Sequence, residues 1–255
     1  MKYFFAFLFI ALLSFSACKD EYTTPEIDTD WTYFPIEENY WIVYRIDTIQ
    51  KHEGFSDTQS SWEVREEIGN SFTDNAGRTA HWLNRYLRPV GSSQAWEEII
   101  PQQAYTVRTA TTAERISENR RFLVLAFPFS EAKSWWGNTY IDEEFYAEGD
   151  QFSDECSNVY FDKNWRYTLS NINEPAQLAS LSFDSTVTVI QNDYYDLRDR
   201  VYSKEIYAKN VGLVYKEIED LSLLSFTLPS LEESPWPNRA NCGSTIIWRV
   251  LDYKK

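Results

Sequence analysis

Apolar residues along much of this chain recur at every second position, the period of a strand with one buried face. Tyr40 to Ile49 (YWIVYRIDTI) is dense in β-branched and aromatic residues and predicts a first strand. Trp62, Val64 and Ile68 alternate with charged residues, and Asp74-Asn75-Ala76-Gly77 is a turn signal, so 62–72 and 79–87 are expected to form a hairpin. Trp96 to Ile100 and Tyr105 to Thr109 are shorter pieces interrupted by Pro101. Arg121 to Phe127 (RFLVLAF) is almost continuously apolar and predicts a strand at the centre of the core. Ser182 to Gln191 alternates cleanly, with Phe183, Ser185, Val187 and Val189 on one face. Val201 to Ala208 and Gly212 to Ile218 are expected to pair around Lys209-Asn210, and Thr245 to Tyr253 closes the chain. Thr111 to Asn119 has a capping-box pattern in Thr111-Thr112-Ala113-Glu114 and reads either as a short helix or as an irregular strand.

Strand segments that are neighbours in sequence predict an all-β fold, a single antiparallel meander with little helix. The pattern leaves its closure open between a lipocalin-like barrel, an open half-barrel of lipoprotein-carrier-like form, and a sandwich.

The N-terminus breaks the alternation. Lys2 precedes an unbroken apolar run, Tyr3 to Leu13, and Ser14 to Ala17 provides a cleavage site. Residues 1–17 therefore read as a secretory signal, too short to span a bilayer stably. Phe15-Ser16-Ala17-Cys18 resembles a lipobox, with Phe15 where Leu is usual. The resemblance implies cleavage before Cys18 and acylation of its new N-terminus. Each buried CH₂ contributes about 0.8 kcal/mol, so one chain holds marginally and two or more hold stably. Lys19-Asp20-Glu21 then resembles the surface-export signal of Bacteroidetes-type lipoproteins. It implies an outer-membrane lipoprotein at the cell surface, with the periplasmic face as the alternative. Residues 18–30 lack apolar periodicity and contain Thr-Thr-Pro, as a flexible acidic tether does, leaving 31–255 as one β-rich domain.

Composition narrows the function. With 255 residues, 43% of them hydrophobic, the chain can bury a core. A net charge of −15 argues against nucleic acid or an anionic lipid surface as partner, and loss of the signal makes it one unit more negative. Two histidines, His52 and His81, cannot build a His-rich metal site, and neither has a nucleophile pattern beside it. No metal or other cofactor is expected. Gly-x-Ser-x-Gly, His-Glu-x-x-His and phosphate-binding glycine loops are absent, so no catalytic residue is assigned. Asp142-Glu143-Glu144, Asp150 and Asp154-Glu155 offer oxygen ligands but match no EF-hand loop, and read as solvated acid.

Two constellations carry more. With Cys18 acylated, Cys156 and Cys242 form an even pair in an exported chain and are expected to be disulfide-bonded. Trp135 and Trp136 are adjacent, so in an extended segment they point to opposite faces. One can serve the core while the other is free to stack on a ligand.

Several blocks resemble a set of Bacteroidetes-type surface lipoproteins. They are Tyr33-Phe34-Pro35-Ile36 with Asn39-Tyr40-Trp41-Ile42-Val43-Tyr44, Trp136-Gly137-Asn138, Phe183 to Val189, and Tyr207-Ala208-Lys209-Asn210-Val211-Gly212-Leu213-Val214-Tyr215. Glu38 stands where that pattern has Gly. The resemblance implies a shared β-rich domain and no particular activity. The expected function is non-enzymatic binding of a small ligand, a glycan or a protein partner by a domain held to the outer membrane through acyl chains. An enzyme acting on envelope glycans or polysaccharide through unrecognised carboxylates, or a structural envelope component, is the rival reading.

Overall fold

The computed structural model describes residues 29–98, 104–117, 119–141, 146–147, 156, 159–160, 163–224 and 235–254. Among them the chain forms one short 3-10 turn, Trp31–Tyr33, and fifteen strands. These are β1 (Trp41–Lys51), β2 (Thr58–Thr73), β3 (Thr79–Pro89), β4 (Glu97–Glu98), β5 (Tyr105–Arg108), β6 (Thr112–Ser117), β7 (Arg120–Ala126), β8 (Ser134–Trp136), β9 (Tyr146–Ala147) and β10 (Val159–Tyr160). β11 (Arg166–Leu178), β12 (Leu181–Tyr195), β13 (Asp199–Ala208), β14 (Gly212–Ser222) and β15 (Cys242–Tyr253) complete the chain.

Thirteen strands join one antiparallel sheet along the path β7-β6-β5-β3-β2-β1-β15-β14-β13-β12-β11-β8, with β4 added on β3. The first and last long strands, β1 and β15, are paired. The path therefore runs round a ring and ends at β7 and β8, which are consecutive in the chain. Those two ends meet. Leu123 of β7 donates its N–H to Gly137 O just beyond β8 at 2.8 Å. The Trp135 indole N–H donates to Leu123 O at 2.7 Å. The sheet is nearly closed into a barrel, which removes the exposed edges an open sheet would leave.

Alternation sorts the side chains. On β1, Ile42, Tyr44 and Ile46 belong to the core. Asp47 instead accepts from Arg249 across β1 and β15. One end of the barrel is filled by the segment before β1. Tyr33 is fully buried there beside Phe34, and its hydroxyl meets Asn173 Oδ1 and Ser185 Oγ, both at 2.7 Å. Asp30, the last residue of the expected tether, is already part of the fold and accepts the Phe129 N–H at 2.6 Å. At the opposite end the Cys156–Cys242 disulfide ties the β8–β11 connection to the start of β15. Asn39 takes the left-handed φ of 63° in the turn before β1, so Glu38 is not asked to adopt it.

The segment read as either helix or irregular strand is a strand: Thr112–Ser117 is β6, hydrogen-bonded to β5 on one side and β7 on the other. A short segment gains little from a capping box, whereas a ladder on both sides satisfies its whole backbone. Arg121–Phe127 does supply the core, with Val124, Leu125 and Phe127 buried in it, while its strand β7 lies at the barrel seam. The long strand β11 (RYTLSNINEPAQL) has no counterpart in the hydrophobic pattern. Its pairing with β12 shifts register twice, with Asn171 and Asn173 at φ 49° and 59°, so its sequence reads as turn while its backbone is strand.

Candidate functional site

The barrel encloses a chamber of about 170 Å³. Arg85 from β3, Arg115 from β6, Phe122 from β7, Tyr167 from β11, Glu205 from β13 and Trp248 from β15 all face it. Side chains from strands all round the ring can share one cavity only because the sheet curls about it.

Its polar walls are built as two ionic clusters. Glu66 of β2, almost fully buried, accepts from Arg85 Nε at 2.8 Å and from the Arg115 guanidinium. Burial opposes its charge, but Arg115 and then Arg85 outweigh that cost and hold the Glu66 carboxyl below the usual carboxylate range. The same pairing holds the Arg115 guanidinium above its ordinary value, although burial alone would lower it. Across the chamber, Glu205 accepts from Lys216 Nζ at 2.8 Å and from the Tyr207 hydroxyl at 2.6 Å. Its carboxyl is likewise lowered against its burial, chiefly by Lys216. Burial pushes the phenols of Tyr167 and Tyr207 well up, so both remain neutral donors.

Gln191 lines the chamber and also a wider cleft of about 1040 Å³ at the disulfide end. The Ser203 hydroxyl holds Gln191 Oε1 at 2.6 Å. The cleft wall includes both cysteines, Trp165, and the carboxylates Asp193, Asp199 and Asp220. Gln191 thus borders both the chamber and the cleft, which lies at the end opposite the segment that carries the chain in from residue 29.

The two tryptophans divide as adjacency predicts. Trp135 packs against the core and closes the seam, its ring 5.8 Å from Tyr167. Trp136 is 52% exposed, and the Arg166 guanidinium lies 5.8 Å from its ring centroid. Neither lines the chamber. Cys156 and Cys242 are bonded to each other. Cys18, Lys19, Asp20 and Glu21 lie outside the described residues, as do Asp142-Glu143-Glu144, Asp150 and Asp154-Glu155. Trp62 is 42% exposed, opposite Ile46 and Pro89 on the neighbouring strands, and Trp82 stacks on Phe72 at 4.3 Å.

The chamber residues escaped the motif search because none belongs to a motif. Their signal is positional. Glu66 sits two residues from Val64 and from Ile68, Arg85 between Leu83 and Leu87, and Lys216 between Val214 and Ile218. A charge on the apolar side of an alternating strand must face inward.

No protein-family model, curated protein or solved structure matches this chain.

Proposed function

We propose that this chain is a lipid-anchored outer-membrane lipoprotein, displayed at the cell surface, whose barrel holds a small ligand without transforming it. The observation that carries the binding reading is the chamber of about 170 Å³ inside the barrel, faced by side chains from strands all round the ring. The two buried carboxylates support a non-enzymatic role. Both are held ionised by cations, whereas a carboxyl serving as general acid is tuned upward toward working pH. The anchor rests on the apolar signal, Cys18 and the Lys19-Asp20-Glu21 string, together with the resemblance to surface lipoproteins. The chain joins the barrel at the filled end, near Asp30 and Tyr33, so an acyl anchor at Cys18 would be attached at the end away from the cleft.

Two measurements test this reading. Expressed in an envelope-bearing host, the protein should partition into detergent, and Cys18→Ala should move it to the aqueous phase; persistence in detergent removes the anchor. Ligand-observed NMR with a fragment library should give binders that Ser117→Phe displaces, because Ser117 lines the chamber. Binders indifferent to that change lie elsewhere and sink the chamber as the binding site.

A further inference from the structure

The cleft of about 1040 Å³ at the disulfide end keeps hydrogen-bonding groups unused. Gln191 of β12 lines it and is only 3% exposed. The Ser203 hydroxyl holds Gln191 Oε1 at 2.6 Å, and the amide NH₂ makes no hydrogen bond among the described residues. Ser244 of β15 is 4% exposed, and its hydroxyl has no partner. It pairs with Asp220, which lines the cleft, so its side chain leaves the sheet on the cleft side. A buried polar group left unmatched costs about 1–3 kcal/mol. Acceptors stand in the same wall. The Asp199 carboxylate accepts the Ser222 hydroxyl at 2.7 Å and has no ion pair among the described residues. One bond leaves most of a carboxylate's acceptor sites open. The half-exposed Tyr194 ring completes the wall, held in place by the bond from its hydroxyl to Asp196 Oδ2 at 2.8 Å.

We infer that this cleft binds an oligosaccharide through neutral sugar rings. The argument is one of donors and acceptors. A sugar hydroxyl both donates and accepts, so one ligand group can take the Gln191 N–H and give a proton to Asp199. An anion would take the amide N–H but offer Asp199 no proton. An ammonium would serve Asp199 but leave the Gln191 NH₂ unmatched. The C–H face of a sugar ring packs on an aromatic ring, and Tyr194 presents one. The volume sets the length. An apolar cavity of about 150 Å³ holds one benzene, so about 1040 Å³ has room for several six-membered rings. The site is separate from the chamber, and it stands or falls without the small-ligand reading of the barrel interior.

The test is a glycan array of neutral oligosaccharides and their sialylated and sulfated counterparts, probed with the full chain in a polyoxyethylene detergent, which carries no sugar to compete. Calorimetry then compares the strongest neutral binder with spermidine. Neutral oligosaccharides should bind more tightly than their acidic counterparts and than spermidine. Gln191→Leu should lower the affinity roughly tenfold, the loss expected for one hydrogen bond. Tyr194→Ala removes a half-exposed ring at the cleft wall and should also weaken binding while the melting transition persists, so the result does not depend on a buried variant that fails to fold. Ser117→Phe, which fills the chamber, should leave glycan affinity unchanged. Silence across the array overturns the glycan site, and so does tighter binding of acidic glycans or of spermidine. Glycan binding lost in Ser117→Phe and intact in Tyr194→Ala overturns the cleft as its place. A silent fragment screen beside intact glycan binding removes the chamber reading alone.

Discussion

The indole N–H of Trp135 donates to the carbonyl of Leu123 at 2.7 Å, and that bond fastens the two ends of the strand path. Beside it runs the backbone bond from Leu123 N–H to Gly137 O. The closure of the barrel depends on this short seam. Every other junction in the ring is a ladder of paired residues.

Trp135→Phe should therefore cost about 1 kcal/mol through the lost hydrogen bond, plus the packing of a smaller ring. Urea unfolding gives the magnitude. Hydrogen exchange locates it, with faster exchange expected at Leu123. If loss of protection is spread evenly over the barrel, the seam is not a distinct weak point.

Gly137 is constrained by the same junction. A Cβ there would lie 2.3 Å from the Tyr167 ring. Tyr167 is fully buried and its hydroxyl donates to Asn138 Oδ1 at 2.7 Å, so the ring has no free direction in which to move. Gly137→Ala should destabilise the fold by about 1–3 kcal/mol. Tyr167→Phe, which removes only the hydroxyl, should cost less. Equal midpoints for Gly137→Ala and the parent protein in chemical denaturation would contradict the packing argument.

The disulfide spans a sequence separation of 86 residues. Removing it frees a long loop in the unfolded chain, and the Cys156→Ser, Cys242→Ser double variant should lose about 2–5 kcal/mol. The change should fall on the denaturation midpoint. Thiol titration of the unfolded parent protein should find neither cysteine free.

The buried carboxylates set the acid limit. Glu66 and Glu205 have folded values depressed below the ordinary 4.5. Their stabilisation is complete above 4.5 and is lost as pH falls through the depressed folded values. Stability should hold between about pH 7 and 5 and drop steeply in more acidic solution. Glu66→Gln should cost about 3–5 kcal/mol at neutral pH, because Arg115 and Arg85 lose their shared anion. It should also make the acid limb shallower. An unchanged slope would mean that Glu66 is not among the groups driving acid unfolding. Asp47, Glu63, Asp74 and Asp196 are also lowered and add to that slope.

Much of the architecture is written locally. β-branched and aromatic composition announces β1, period-two alternation announces β12, Lys209-Asn210 between two apolar runs announces the β13–β14 pair, and Asp74 to Gly77 marks the β2–β3 turn. There Asp74 Oδ1 accepts the backbone N–H groups of Ala76 and Arg78. The even pair Cys156 and Cys242, behind what reads as a secretory signal, announces its bond. These are short-range statements, because side-chain direction and turn geometry depend on a few adjacent residues. Even the inward charges are legible in principle, since Glu66 shares a strand face with Val64 and Ile68. β11 is not legible, because Asn171, Asn173 and Pro175 are turn residues; both asparagines take left-handed φ in the irregularity between the pairs Ser170–Thr188 and Glu174–Thr186, and the strand resumes beyond it.

Only the tertiary structure chose a barrel over a sandwich. Alternation gives each strand two faces but says nothing of how far the sheet curls, and closure rests on Leu123 meeting Gly137 across the seam. It also decided how the inward charges pair. Arg115 reaches Glu66 across 49 residues of chain, and Lys216 reaches Glu205 from the next strand. Charges that look like a solvated face in sequence become, once the sheet closes, ion-paired walls of an inner chamber.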